Sequence, residues 1–184
     1  MRLVCGVGIN DKTRPTVKNG RTAKEYNLWI SMLSRCYSED ISSYSDCSVS
    51  DNFKRYDYFY DWCQNQIGFG VKDFDIDKDL LVKGNRVYSE ITCCFIPAKI
   101  NRTISIYRKP NEHLPSGVLK NGNLDEYRVR VGGKVIGYYP SIDEAFAAYK
   151  EKKEQIIRDY AVEHKANIDP VVFDALMNWT IIVK

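Results

Sequence analysis

No stretch of this 184-residue chain approaches the roughly 18 consecutive apolar residues that would span a bilayer. A membrane-spanning role is therefore not expected. The opening "MRLVCGVGIND" offers only a brief apolar stretch, so a secretory leader is not expected either, and the anticipated compartment is the cytoplasm. The chain has no CxxC pair. Its two histidines, His113 and His164, stand far in sequence from the cysteines at 5, 36, 47, 63, 93 and 94, so no zinc site is expected and reduced, buried thiols are. Strong net charge is missing too: 27 Lys and Arg against 24 Asp and Glu leave +3, and the total says little about partners. Internal repeats and low-complexity segments are absent, and 44% hydrophobic with 12% aromatic residues is the composition of a globular protein rather than a disordered tail. The length holds one ordinary domain or two small ones.

Charge is informative in its distribution. Residues 1–24 carry six Lys or Arg against one acid, and Ala98 to Asn111 carries Lys99, Arg102, Arg108 and Lys109 with no acid. Between Ser38 and Asp79 the balance reverses, with ten acids against four bases. Basic segments flanking an acidic centre suit a protein that grips phosphates at its edges and holds a cation between them; scattered solvated charge is the plainer alternative. The basic residues of 12–24 and 99–109 are the candidates for a grip on a phosphate backbone.

Periodicity organises the rest. "AKEYNLWISMLSRCY" (23–37) spaces Tyr26, Trp29, Leu33 and Cys36 as an amphipathic helix, with Met32 beside them. "YSDCSVSDNF" (44–53) reads as a loop with a short strand. "RYDYFYDWCQNQIGFG" (55–70) sets Tyr58, Phe59, Trp62 and Cys63 at helical spacing and stops at Gly68. Next come a strand, a loop, a strand and a helix over 74–104, then a proline-bearing linker, "YRKPNEHLP" (107–115). Strands are predicted at 117–120, 126–131 and 134–139, with Asn121-Gly122 and Gly132-Gly133 as turns. Ser141 with Glu144 forms a capping box for a long helix whose apolar face is Ile142, Ala145, Tyr149, Ile156 and Tyr160. Asp169 and Pro170 open a last short helix to about Trp179.

In "EYRVRV" the side chains alternate: Tyr127, Val129 and Val131 point to one side, Arg128 and Arg130 to the other. With the apolar side packed on the helix, both arginines face outward, and Lys120 and Lys134 near the strand ends are placed to join them. Such a sheet fits a major groove and brings guanidinium forks to guanine edges. "GVLKNGNLDEYRVRVGGKVIGYYPSIDEAFAAYKEKKE" resembles the AP2-type DNA-binding domain, through Gly117-Val118, the "IGYYPSIDEAFAAY" run and the small alanines where helix meets sheet. The resemblance implies a three-stranded sheet that reads the major groove with Arg128, Arg130 and Lys134, and Lys120 as a lesser contributor. The tryptophans typical of plant members are absent from these strands, so individual base contacts do not carry over.

A ββα-metal nuclease module is small because its ion supplies most of the catalysis, while a nearby His takes the proton of the attacking water. In "FDIDKDLLVKGNRVYSEITCCFIPAKIN" (74–101), Asp77 falls on the first strand, Asn85 in the loop and Asn101 on the helix. The segment resembles the HNH homing endonucleases, which makes Asp77 and Asn101 the matching metal ligands, here for Mg²⁺. Lys78 stands where the general-base His belongs, and a protonated lysine cannot accept water's proton. Asp75, Asp79 or His113 are the substitutes on offer.

The blocks "YNLWISMLSRCY", "YSDCSVSDNF", "FYDWCQNQIGFG", "DKDLLVKGNRVYSE" and "CCFIPAKIN", in this order before an AP2-like segment and with the closing "IDPVVFDALMNW", resemble phage and prophage proteins described as HNH endonuclease-like with an AP2 domain. The expectation is an α+β chain: an HNH-like ββα-metal module with N-terminal helices over 1–106, a linker over 107–115, and an AP2-like domain with a C-terminal helix over 116–184. Its partner would be double-stranded DNA, in the host cytoplasm. Three functions stay open: a site-specific homing endonuclease, a non-cleaving regulator or anti-defence protein acting on DNA or on a host protein, and a purely structural or protein-binding module.

Overall fold

The computed structural model describes residues 3–38, 46–104, 114–122 and 124–182. Among them the chain is a mixed α+β protein with five α-helices and four small sheets. It divides into two compact units, residues 1–97 with 166–172, and residues 98–165 with 173–184. The division at Pro97/Ala98 assigns the helix that begins at Ala98 to the second unit, whereas a boundary at 106 is expected from the sequence.

In the first unit, β1 (Val17–Lys18) and β2 (Arg21–Thr22) pair around Asn19 and Gly20. Both turn residues have positive φ, 50° and 71°, the conformation a two-residue hairpin needs to match strand twist. Helix α1 (Lys24–Tyr37) buries Trp29, Met32 and Leu33, as its periodicity predicts. Helix α2 (Tyr56–Gln64) buries Tyr56, Phe59 and Cys63. It ends four residues before Gly68, and Tyr58 is exposed. In "YDYFYDW" every helical face carries a ring, so spacing alone cannot choose the buried one. The core is aromatic: Phe53 meets Phe59 and Trp62 edge-on, and Trp62 lies against Phe95. The Trp29 indole donates to the Phe53 carbonyl at 2.8 Å, satisfying the one polar atom this ring brings inside.

Strand β3 (Ser48–Val49) pairs in parallel with β5 (Val87–Tyr88), and β4 (Phe74–Asp77) pairs antiparallel with β6 (Cys94–Pro97). Of the cysteines, Cys47, Cys63, Cys93 and Cys94 are buried and all six are unbridged. Burial pushes the Cys36 thiol up to about 11 and Cys93 up to about 12, so these are packing residues rather than nucleophiles.

The second unit contains α3 (Ala98–Ile104), the sheet β7 (Val118–Lys120), β8 (Tyr127–Val131), β9 (Lys134–Tyr139), and α4 (Ile142–Glu163). The sheet is an antiparallel meander. Ser141 caps α4 by accepting from the Glu144 amide at 3.2 Å. Val118, Val129 and Val131 pack on Ala145 and Tyr149, with Ile181 closing the cluster. At Gly117, with φ +79°, a Cβ would lie 2.1 Å from the Tyr149 ring, so only glycine lets strand and helix approach this closely. The predicted face of α4 is partly displaced: Ala145, Tyr149, Ile157 and Ala161 are buried, while Ile156 and Tyr160 are half-buried. The buried row runs at intervals of four through Lys153, which hides it from a hydrophobicity pattern. Helix α5 (Pro170–Met177) follows Asp169, whose carboxylate accepts from the Val171 amide at 2.8 Å.

Candidate nucleic-acid interface and metal site

Three of the residues singled out for chemistry meet in the first unit. Asp77 ends β4 and is buried, and its Oδ1 accepts from the amides of Asp79 (3.0 Å) and Leu80 (2.7 Å). Burial, reinforced by the neighbouring Asp79 charge, raises its carboxyl to about 6, against the opposing pull of those two amides and of Lys78. Lys78 is buried beside it. Its Nζ donates to the Asn85 carbonyl at 3.2 Å, lies 3.3 Å from Asp79 Oδ2 and faces the Tyr88 ring at 5.8 Å. Every one of these neighbours accepts from a donor or attracts a cation, so the amine is surrounded by groups that take its hydrogens.

Asn85 staples the loop. Its amide donates to the carbonyls of Lys78 and Val87, both at 2.7 Å, and its Oδ1 accepts from the Val87 amide at 3.1 Å. With these contacts made to backbone, Asn85 organises the loop and leaves little of its amide for a reacting atom. Asp75 is exposed on β4, and Asp79 is paired with Lys78. Asn101, on α3, belongs to the second unit. Arg108, Lys109 and His113 lie outside the described residues.

The fit of this site to Mg²⁺ is that of a one-carboxylate site. Asp77 keeps its second oxygen, and Mg²⁺ binds through one or two carboxylates plus waters and substrate phosphates. The Lys78 ammonium works against a second cation, and among the described residues no group of three or more His, Cys, Asp or Glu is placed to hold a metal.

In the second unit, Val129 and Val131 point into the core, so Arg128 and Arg130 lie on the open side of β8. Arg128 stands opposite Leu119 on β7 and Tyr138 on β9, and Arg130 opposite Val135. Residues directly opposed across a sheet share a face, so these five form one surface. Arg130 Nη2 donates to the Gly133 carbonyl at 2.8 Å, which fixes its stem over the hairpin. Arg128 Nε is buried and finds no hydrogen-bond partner among the described residues. A guanidinium resting with a desolvated, unsatisfied N–H gains by swinging toward an acceptor.

The same register moves the two lysines. Lys120 opposes Tyr127 and Lys134 opposes Val131, so both lie on the helix side of the sheet, at its margins, and not in the arginine row. Tyr138 is the surface residue that sequence reading missed. A bulge beside Val129/Arg130 inserts Ile136 and breaks strict alternation, bringing Val135 and Tyr138, three apart, onto one face. Of the remaining basic candidates, Lys99 and Arg102 are exposed on α3. Among the described residues no helix is long and apolar enough to cross a membrane.

Comparisons with protein-family models, with curated proteins and with solved structures return no match.

Proposed function

We propose that this chain is a duplex-DNA-binding protein that reads the major groove with the open face of its three-stranded sheet, on a scaffold resembling an HNH homing endonuclease joined to an AP2-type domain. The observation that carries this reading is the outward pair Arg128 and Arg130, set beside Tyr138 on a sheet whose other side is filled by its own helix. Two forks at this spacing suit bidentate contacts to guanine O6 and N7, and a stacked or hydrogen-bonding tyrosine adds a third contact. Lys99 and Arg102 would supply phosphate contacts, which strengthen binding without adding sequence preference.

Asp77 would be the residue of the first unit to hold Mg²⁺ in the HNH-like reading, where the ion would polarise the scissile phosphate. What this chain's own residues do around Asp77 favours a second reading, a DNA binder that does not cut. Lys78 offers donors on every side and no acceptor for the proton of an attacking water. A regulator or anti-defence protein built on the nuclease scaffold would have this property.

The test begins with a duplex selected from a random pool and its affinity followed through rising salt. DNA reading expects preference for the selected site over random duplex and a steep loss of affinity with salt. Affinity no better than that of any mildly basic protein would overturn it. Incubation of the same complex with Mg²⁺ or Mn²⁺ and a plasmid bearing the site separates the two readings. Nicking abolished by Asp77→Ala with affinity retained selects the nuclease, and intact plasmid selects the binder.

A further inference from the structure

Within the second unit a cleft of about 560 Å³ opens between α3, α4 and the Val131–Gly132 turn. Its size falls in the range of small-ligand sites rather than of surface wrinkles. Four cationic residues line it, Lys99 and Arg102 from α3, Lys153 from α4 and Arg130 from β8, and no carboxylate is among its lining residues. The opposite wall is Tyr149, Ile156 and Tyr160, which with Lys153 recur at intervals of four, three and four along one stripe of α4. Tyr149 belongs also to the core cluster, while Ile156 and Tyr160 are the half-buried part of the predicted apolar face.

The cations rest on rings rather than on acids. Lys99 Nζ sits 4.2 Å from the centre of the Tyr160 ring, and Lys153 Nζ donates to the Tyr149 hydroxyl at 2.9 Å. Neither forms an ion pair among the described residues; Glu163 acts on Lys99 only from beyond the lining. An ammonium held by a tyrosine is positioned yet not neutralised, so an incoming anion displaces a weak contact and gains a charge-assisted one. Gly117, pressed against Tyr149, forms part of the floor.

We propose that this cleft binds a nucleotide 5′-phosphate, with Lys99, Arg102 and Lys153 on the phosphate and the base or sugar against Tyr149, Ile156 and Tyr160. A simple anion would leave that aromatic wall in water, and an uncharged ring would leave the cations of the lining unanswered. The site meets the arginine face of the sheet only at Arg130, whose guanidinium is turned to the Gly133 carbonyl, and Arg128 is not part of it. The nucleotide can be free or part of a single strand.

The test titrates the full chain with deoxyadenosine 5′-monophosphate, followed by amide chemical shifts. The expected result is saturable binding mapped to the cleft, with deoxyadenosine and inorganic phosphate each weaker by about tenfold or more, since each satisfies only half of the site. Lys99→Gln and Lys153→Gln should each weaken binding by about fivefold or more, while Arg128→Ala leaves it unchanged. Should Lys153→Gln disturb folding through Tyr149, the exposed Lys99→Gln carries the test alone. A thymidine oligonucleotide that displaces the mononucleotide assigns the site to single strands, and one that does not assigns it to free nucleotide. No saturable shift, equal binding of deoxyadenosine, unchanged affinity in Lys99→Gln, or loss of binding in Arg128→Ala would each overturn the proposal. Because Arg128 lies outside the lining and is tested on duplex while the cleft is tested on mononucleotide, the two readings fail separately.

Discussion

At position 77 a carboxyl sits in a desolvated strand end with one oxygen tied to two amides, and its acidity moves from an ordinary 3.8 to about 6. The sign of the consequence follows from linkage: a folded-state value above the unfolded one stabilises at low pH. The contribution is complete below about pH 4, where both states are protonated, and is lost as pH rises through about 6, where the folded protein must hold the charge. Urea unfolding between pH 4 and 7.5 should show that fall, and Asp77→Asn, which keeps the accepting oxygen, should flatten it. For the arginines, Arg128→Ala and Arg130→Ala should each cost about 1–3 kcal/mol of binding to a selected duplex and much less on random duplex. Equal losses on both, measured by anisotropy, would make them phosphate contacts.

Two elements depend on single residues. The loop between β4 and β5 is held by Asn85, which bonds to Lys78 and Val87. Asn85→Ala leaves two carbonyls and an amide without this partner and should lower stability by about 1–3 kcal/mol, readable as an earlier urea midpoint at unchanged slope. The approach of β7 to α4 depends on Gly117. Gly117→Ala combines an unfavourable positive φ with a clash against Tyr149 and should cost at least about 1–3 kcal/mol, detectable as a lowered Tm. Helix boundaries at this scale were legible where a capping residue marks them, as at Ser141 and Asp169. They were not legible in α2, whose rings surround the helix.

Across the whole molecule, the chain combines one unit built on an aromatic core with another in which a sheet covers a helix on one side and shows arginines on the other. The proposed reading of duplex DNA places affinity in several phosphate contacts, so binding to the selected duplex should weaken roughly in proportion to a power of salt concentration, with a slope of about 0.9 per neutralised phosphate. Lys99→Ala or Arg102→Ala should each reduce that slope by about one while leaving sequence preference intact. A slope unchanged by both substitutions would remove α3 from the interface.

The amino-acid sequence by itself determined the longer helices and the polarity of the three-stranded sheet, because helix and strand repeats and caps are local and β8 alternates without interruption. It also exposed the chemical oddity at Lys78, which is a matter of residue identity alone. Only the tertiary structure decided that Lys78 is ringed by acceptors, that Asn85 is bound to its own loop, that Lys120 and Lys134 leave the arginine row, and that part of the apolar stripe of α4 lines a basic cleft. Each of these turns on a partner distant in sequence or on a one-residue bulge, and neither leaves a periodic trace in the chain that carries it.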